Sequence, residues 1–156
     1  MPAVNIRQTS KRSSTAFASG IFRPHGQVDI WTEGTIVRLE ACGPFNREGV
    51  LAMGLAMRDL FAGAPVGPRF ADILEMHQSL LASPDALEAF TGFLKTMSEA
   101  KTAPVAVAFV AAPEVEGRSL MLPIFARIYA EHGREFAAFE TLAEAEAWVR
   151  ARLGSA

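Results

Sequence analysis

The chain has 156 residues, 50% of them hydrophobic and 21% charged, the make-up of one globular domain with a real core. No apolar run approaches the ~18–20 residues of a membrane span, and a formal net charge of −2 argues against generic binding to a phosphate backbone. A single cysteine, Cys42, excludes an internal disulfide and a multi-cysteine zinc site, and it fits a reducing cytoplasm.

The charge is unevenly spread. Residues 1–25 hold Arg7, Lys11, Arg12 and Arg23 and no acid, whereas the remainder sets eleven bases against seventeen acids, net −6. An acidic body of this kind does not suit nucleic acid. The opening segment lacks the apolar stretch of a signal peptide, although its basic, Ser-rich make-up is also that of an organellar transit peptide. Without apolar periodicity it reads as a basic tail, residues 1–25, dispensable for folding of a domain over residues 26–154.

The first elements of that domain are "QVDIW" (27–31) and "TIVRLEAC" (35–42). In the second run Val37, Leu39 and Ala41 alternate with Arg38 and Glu40, the period of a strand with one wet face. The Thr32-Glu33-Gly34 connection predicts a hairpin. "GPFNREGVLAMGLAMRDLFAG" predicts a helix capped by Asn46, with Phe45 stapled onto Val50 and Val50, Met53, Met57 and Leu60 at helical spacing. Gly49 and Gly54 each cost such a helix about 1 kcal/mol against alanine, a cost consistent with close approach to the sheet. Gly63, Pro65 and Pro68 stop it.

"RFADILEM" (69–76) predicts the third strand. In the second helix Ser83 is the cap, Pro84 the first helical residue and Asp85 the charge at the dipole's positive end, with Leu87, Phe90, Leu94 and Met97 as its buried stripe. "PVAVAFVAA" (104–112) is continuously apolar, as a central parallel strand covered on both faces must be. A third helix is expected over 120–131 with Pro123 in its first turn, and Gly133 ends it. "EFAAF" (135–139) is a fifth short strand. Thr141 and Glu144 then form a capping box for a helix that buries Leu142, Ala145, Trp148 and Val149. The order ββαβαβαβα predicts an α/β fold, a mixed and mostly parallel sheet with helices packed on it.

That order, together with the ending "FAAFETLAEAEAWVRARL", resembles the SpoIIAA-like (STAS) family. Chains of that group close with a short strand ending in Phe, a capped turn and a helix reading Ala-x-x-Trp followed by Val or Leu. Here these are Phe139, Thr141, Glu144, Ala145, Trp148 and Val149. "GPFN" at 43–46 is similar too. The resemblance covers residues 27–153 as architecture and these two segments as motif. It implies a non-enzymatic domain that works by binding a protein partner or itself, in a regulatory role. The best-known relatives are anti-sigma-factor antagonists switched by phosphorylation of a serine in an Asp-Ser-Ser-Gly-like signature where the second helix begins. This chain has "HQSLLASPDAL" there, with Ser79 and Ser83 but no such signature, which argues against a conventional phospho-switch. Other relatives resemble lipid-binding folds.

The candidate positions each carry a plain alternative. His77 and Ser79 lie past the carboxyl end of the third strand, where open α/β sheets bind ligands, with Asp72 and Glu75 nearby. Two residues of one loop do not make a nucleophile, base and oxyanion site, so a solvent-facing loop is the simpler reading. Ser83 suits a phosphate at a helix N-terminus but is fully explained as a cap. Cys42, ahead of a helix start, has the placement of an activated thiol or of a small apolar residue. Met53, Met57, Met76, Met97 and Met121 suit a core, or a pocket for a small lipophilic molecule. His25, His77 and His132 are too scattered for a metal site, and no cofactor motif is present. Trp31 lies on the face opposite Val28 and Ile30, so one side of this strand is expected outside the core. It offers a contact for a homodimer, unless the basic segment before it provides the cover within the chain.

Overall fold

The computed structural model describes residues 10–18, 23–63 and 66–154. Six strands form one sheet in sequential order: β1 (Arg12–Ser13), β2 (Gln27–Glu33), β3 (Ile36–Cys42), β4 (Ala71–His77), β5 (Val107–Val110) and β6 (Phe136–Phe139). The first three are antiparallel neighbours, and β3 to β6 run parallel. Helices α1 (Arg47–Gly63), α2 (Pro84–Glu99) and α3 (Arg118–Glu131) link the parallel strands, and α4 (Leu142–Leu153) follows β6. Crossovers of one hand between sequential strands place their helices on one face. Residues of α1, α2 and α3 accordingly share the larger core with Val37, Leu39, Leu74 and Phe109. The opposite face carries a smaller core, in which Ala145 and Val149 of α4 meet Ile36, Ile73, Ala108 and Val110.

The local signals act as expected at most helix starts. Asn46 Oδ1 accepts from Gly49 N–H at 2.8 Å and also from His25 N–H. Ser83 Oγ accepts from Ala86 N–H at 3.3 Å and donates to Asp85 at 2.5 Å. Thr141 Oγ1 accepts from Glu144 N–H and donates to its carboxylate. The C-terminus of α4 has a partner from elsewhere: Arg69 donates to the carbonyls of Arg152 and Leu153, placing a cation at the negative end of the helix dipole.

Several expectations are corrected. The opening segment is not a detached tail, for its residues 10–18 belong to the fold. Arg12–Ser13 adds an edge strand to β2 and leads into a 3-10 turn, Ser14–Phe17. Ser14 Oγ accepts from Val28 N–H, Arg12 pairs with Asp59 of α1 at 3.2 Å, and Phe17 packs on the core. Residues 1–9 of the expected tail lie outside the described residues. Helix α3 begins at Arg118, after Gly117 at φ +75°, so Pro123 is inside the helix rather than in its first turn. The strand expected over 104–112 shortens to Val107–Val110, buried throughout. Trp148 is half-buried. Gly49 is needed because a side chain there would strike the His25 carbonyl, and Gly54 faces Phe93 of α2; neither brings α1 closer to the sheet.

Candidate functional site

Three places among the described residues have the shape of a site. The first is a crevice at the carboxyl ends of β4, β5 and β6. The chain leaves β5 toward the α3 face and leaves β6 toward the α4 face, and such a divergence opens a gap where α/β sheets bind ligands. The gap has a volume of about 390 Å³ and is lined by Glu75, His77, Gln78, Glu114, Glu140 and Leu142, among others. His77 and Glu75 both reach it, but Ser79 and Asp72, the other members of the constellation considered in the sequence, do not line it. His77 Nε2 lies 3.4 Å from Glu40. Ser79 is buried; its hydroxyl donates to Glu116 at 2.8 Å and accepts from Leu81 N–H at 3.1 Å. That hydroxyl stitches a loop and does not face His77. Ser83 is occupied as a cap. Among the described residues, no group of three or more His, Cys, Asp or Glu could hold a metal ion.

The second place is a cavity between α1, α2 and the sheet, lined by Phe45, Met53, Met76, Phe90, Phe109 and Phe125 and wholly apolar in character. Of the five methionines considered for an apolar pocket, Met53 and Met76 line this cavity, and its free volume is about 40 Å³. A drug-sized ligand needs several hundred.

The third place is the outer seam of α1 and α2. Two depressions of about 310 and 420 Å³ run along it, sharing Gly54, Phe93 and Thr96. Met57, Phe61 and Met97 floor one; Val50 and Ala89 floor the other. Leu51 and Leu55 stand beside the seam, 44% and 41% exposed. Among the described residues, Arg47 and Arg58 are its charged lining residues, and no acid lines it. Reading for helix periodicity passed over Leu51 and Leu55. The signal was there: both lie off the Val50–Met53–Met57–Leu60 stripe, so both needed a use other than the core.

Two charged clusters sit inside the fold. On the α4 face Arg38 is buried, with one guanidinium nitrogen 3.2 Å from Glu33 and 3.5 Å from Glu146 and the other paired with Glu75. Trp31 lies beside it with the guanidinium 5.5 Å from the ring, and its indole N–H donates to Glu33. Lys11 Nζ covers the ring at 4.4 Å, leaving Trp31 8% exposed. Val28 and Ile30 meanwhile enter the larger core. Trp31 is therefore covered within its own chain and is not the surface contact it was expected to offer a second copy. On the α1–α3 face Asp72 is buried with no hydrogen-bond partner for Oδ1. Burial pushes its carboxyl up to about 7, against the pull of Arg134. Arg134 itself donates to Leu94 O and Ser98 Oγ.

Cys42 shows no activation. Burial raises its thiol, and Glu40 and Asp29 raise it further, so the helix start beyond it does not produce a thiolate. Among the described residues, no helix is long and apolar enough to cross a membrane. Comparison of the chain with protein-family models and with curated proteins returned no match.

Proposed function

We propose that this chain is a SpoIIAA-like, non-enzymatic domain that acts by holding a protein segment in the α1–α2 seam. The carrying observation is the pair of exposed leucines, Leu51 and Leu55, beside two apolar depressions. Isolated exposed leucines need no explanation, but two at i, i+4 spacing beside a groove form an anchor for an apolar stripe. The occupant is an amphipathic helix with acidic residues flanking its apolar face. Arg47 and Arg58 stand eleven positions apart on α1, roughly 16 Å along its axis, and no carboxylate lines the seam between them. The element order and the closing Trp148 helix support the family reading, which implies regulation through such complexes in the cytoplasm.

The test uses two synthetic helical peptides with the same leucine stripe, one flanked by glutamates and one by lysines. Fluorescence anisotropy is expected to show binding of the acidic peptide alone. The double variant Leu51→Glu/Leu55→Glu should lose that binding at an unchanged thermal midpoint, since both side chains are exposed. Equal binding of the two peptides, or none, overturns the proposal.

A second reading rests on the apolar cavity. A small lipophilic molecule between Met53, Met76 and Phe90 would have to part α1 from α2, because 40 Å³ does not admit it. Native mass spectrometry of the purified protein checks this reading: a retained apolar molecule supports it, and a bare protein mass counts against it.

A further inference from the structure

The two edges of the sheet are unlike. At one edge β1 is two residues long, carries Arg12 bound to Asp59, and turns at once into a 3-10 helix. Short length, charge and a turning chain are the devices that keep an edge from pairing. At the other edge β6 reads Phe136-Ala137-Ala138-Phe139, with no charge, glycine or proline. Of the two acids that flank it, Glu135 is already engaged by Arg152 at 2.7 Å and Glu140 lies just past its end, exposed.

The ladder between β5 and β6 shows which backbone groups the free edge presents. Val107 N–H donates to Glu135 O, and Ala111 N–H donates to Phe139 O. Residues of a parallel strand alternate in pointing toward a given neighbour, so Glu135, Ala137 and Phe139 address β5. Phe136 and Ala138 therefore direct their N–H and C=O groups outward, where no other described strand pairs with them. The side chains beside this edge are apolar. Phe136 packs with the larger core and Phe139 with the smaller one. Phe139 meets the half-exposed Trp148 with ring centroids 5.7 Å apart, and Ala138 is exposed.

The geometry points to self-association of this chain through β6, two copies pairing antiparallel about a two-fold axis to form one continuous sheet. A two-fold normal to the sheet keeps each face with its own kind, so the numbers of opposed residues must sum to an even value. The outward groups of Phe136 and Ala138 are satisfied when these two residues oppose each other. Phe136 then faces the partner's Ala138, a large side chain against a small one, and Ala137 lies on the axis opposite its own copy. Shifting the centre to Ala138 would instead set Glu140 against Phe136 at a hydrogen-bonded pair, whereas the Ala137 centre sets Glu135 against Phe139 only at a non-hydrogen-bonded pair, where Glu135 is held by Arg152. Centring on Phe136 would set Arg134, which is tied to α2, against Ala138. The Ala137-centred pairing alone opposes apolar residues at both hydrogen-bonded pairs. It leaves the α1–α2 seam of each copy open, so it stands or falls independently of the proposed function.

The test is disulfide trapping in a Cys42→Ser background, with the oligomer size read by sedimentation at tens of micromolar. Ala137→Cys should cross-link readily, because residues on the axis form a non-hydrogen-bonded pair with Cα atoms about 4.5 Å apart. Ala138→Cys should not cross-link, being displaced from its own copy by two residues. Ala138→Pro removes an outward N–H and leaves the β5 ladder intact, and it should shift the protein to monomer with an unchanged circular dichroism spectrum. A monomeric wild type overturns the inference, as does cross-linking at 138 instead of 137. So does a folded Ala138→Pro protein that remains dimeric.

Discussion

Arg38 and Asp72 sit on adjacent strands, one step apart in register, since Arg38 pairs with Ile73 and Val37 with Asp72. They face opposite sides of the sheet, and they are buried on different terms. Arg38 meets three carboxylates and an indole ring, so its charge is matched where it lies, although its Nε has no hydrogen-bond partner. Asp72 meets the closed apolar face with one oxygen unbonded, and Arg134, the cation that acts on it, is committed to α2. The first arrangement lets a charge remain buried, whereas the second keeps an acid protonated up to neutral pH. The difference follows from cover. A sheet face closed by three helices offers few polar partners, while the α4 face leaves β2 and β3 room for a carboxylate network.

Breaking the matched cluster should have the largest effect. Arg38→Met strands Glu33, Glu75 and Glu146 around an apolar side chain and should cost about 3–5 kcal/mol, read as a lower urea midpoint at pH 7. Asp72 sharpens the comparison through pH. Its folded pKa is raised from 3.8 to about 7. Below about pH 4 both states hold the proton and the full stability is present. Between about 4 and 7 only the folded state holds it, and each unit of pH removes about 1.4 kcal/mol; above 7 the loss is complete. Asp72→Asn should abolish this decline, making the variant more stable than wild type at pH 8 by up to about 4 kcal/mol. Urea titrations at pH 4, 6 and 8 check it, and parallel wild-type and variant curves would contradict the account.

Smaller effects test how the α4 face is covered. Trp148→Ala should cost about 2 kcal/mol, below the range for a fully buried tryptophan, because its ring contacts are Phe139 on one side and Arg152 at 4.1 Å on the other. Thermal unfolding reads this. Lys11→Ala should cost about 0.5–1 kcal/mol, the size of a partly exposed cation–π contact. A shift in tryptophan emission should accompany it as Trp31 becomes wetter.

The caps at Asn46, Ser83 and Thr141 were legible because a cap is decided within four residues. The unbroken apolar run around β5 was legible for the same kind of reason. The alternation in β3 marked a strand, but the face expected to be wet is covered, because α4 and the carboxylates around Arg38 bury that side chain. The opening strand was not legible. Two residues carry no period, and β1 is held by Ser14, Phe17 and Arg12 through partners on β2 and α1 far along the chain. Trp148 failed differently. Its stripe on α4 was read correctly, but a stripe names a side and not the extent of what it meets. Helix α4 contributes Ala145 and Val149 to the smaller core, and Trp148 reaches the rim at β6. At the candidate site, the seam's leucines were visible as letters but became a surface only once α2 came to lie beside α1.

By itself the sequence determined the order of elements from β2 onward, most of their caps and the core side of most helices, because hydrogen-bond closure and side-chain period act over one or two turns of chain. The tertiary structure alone decided which charges would share a face, which sheet edge would be closed and which left open, and where two helices would leave a groove. Those outcomes depend on residues tens of positions apart meeting at contact distance, and no local pattern encodes that distance.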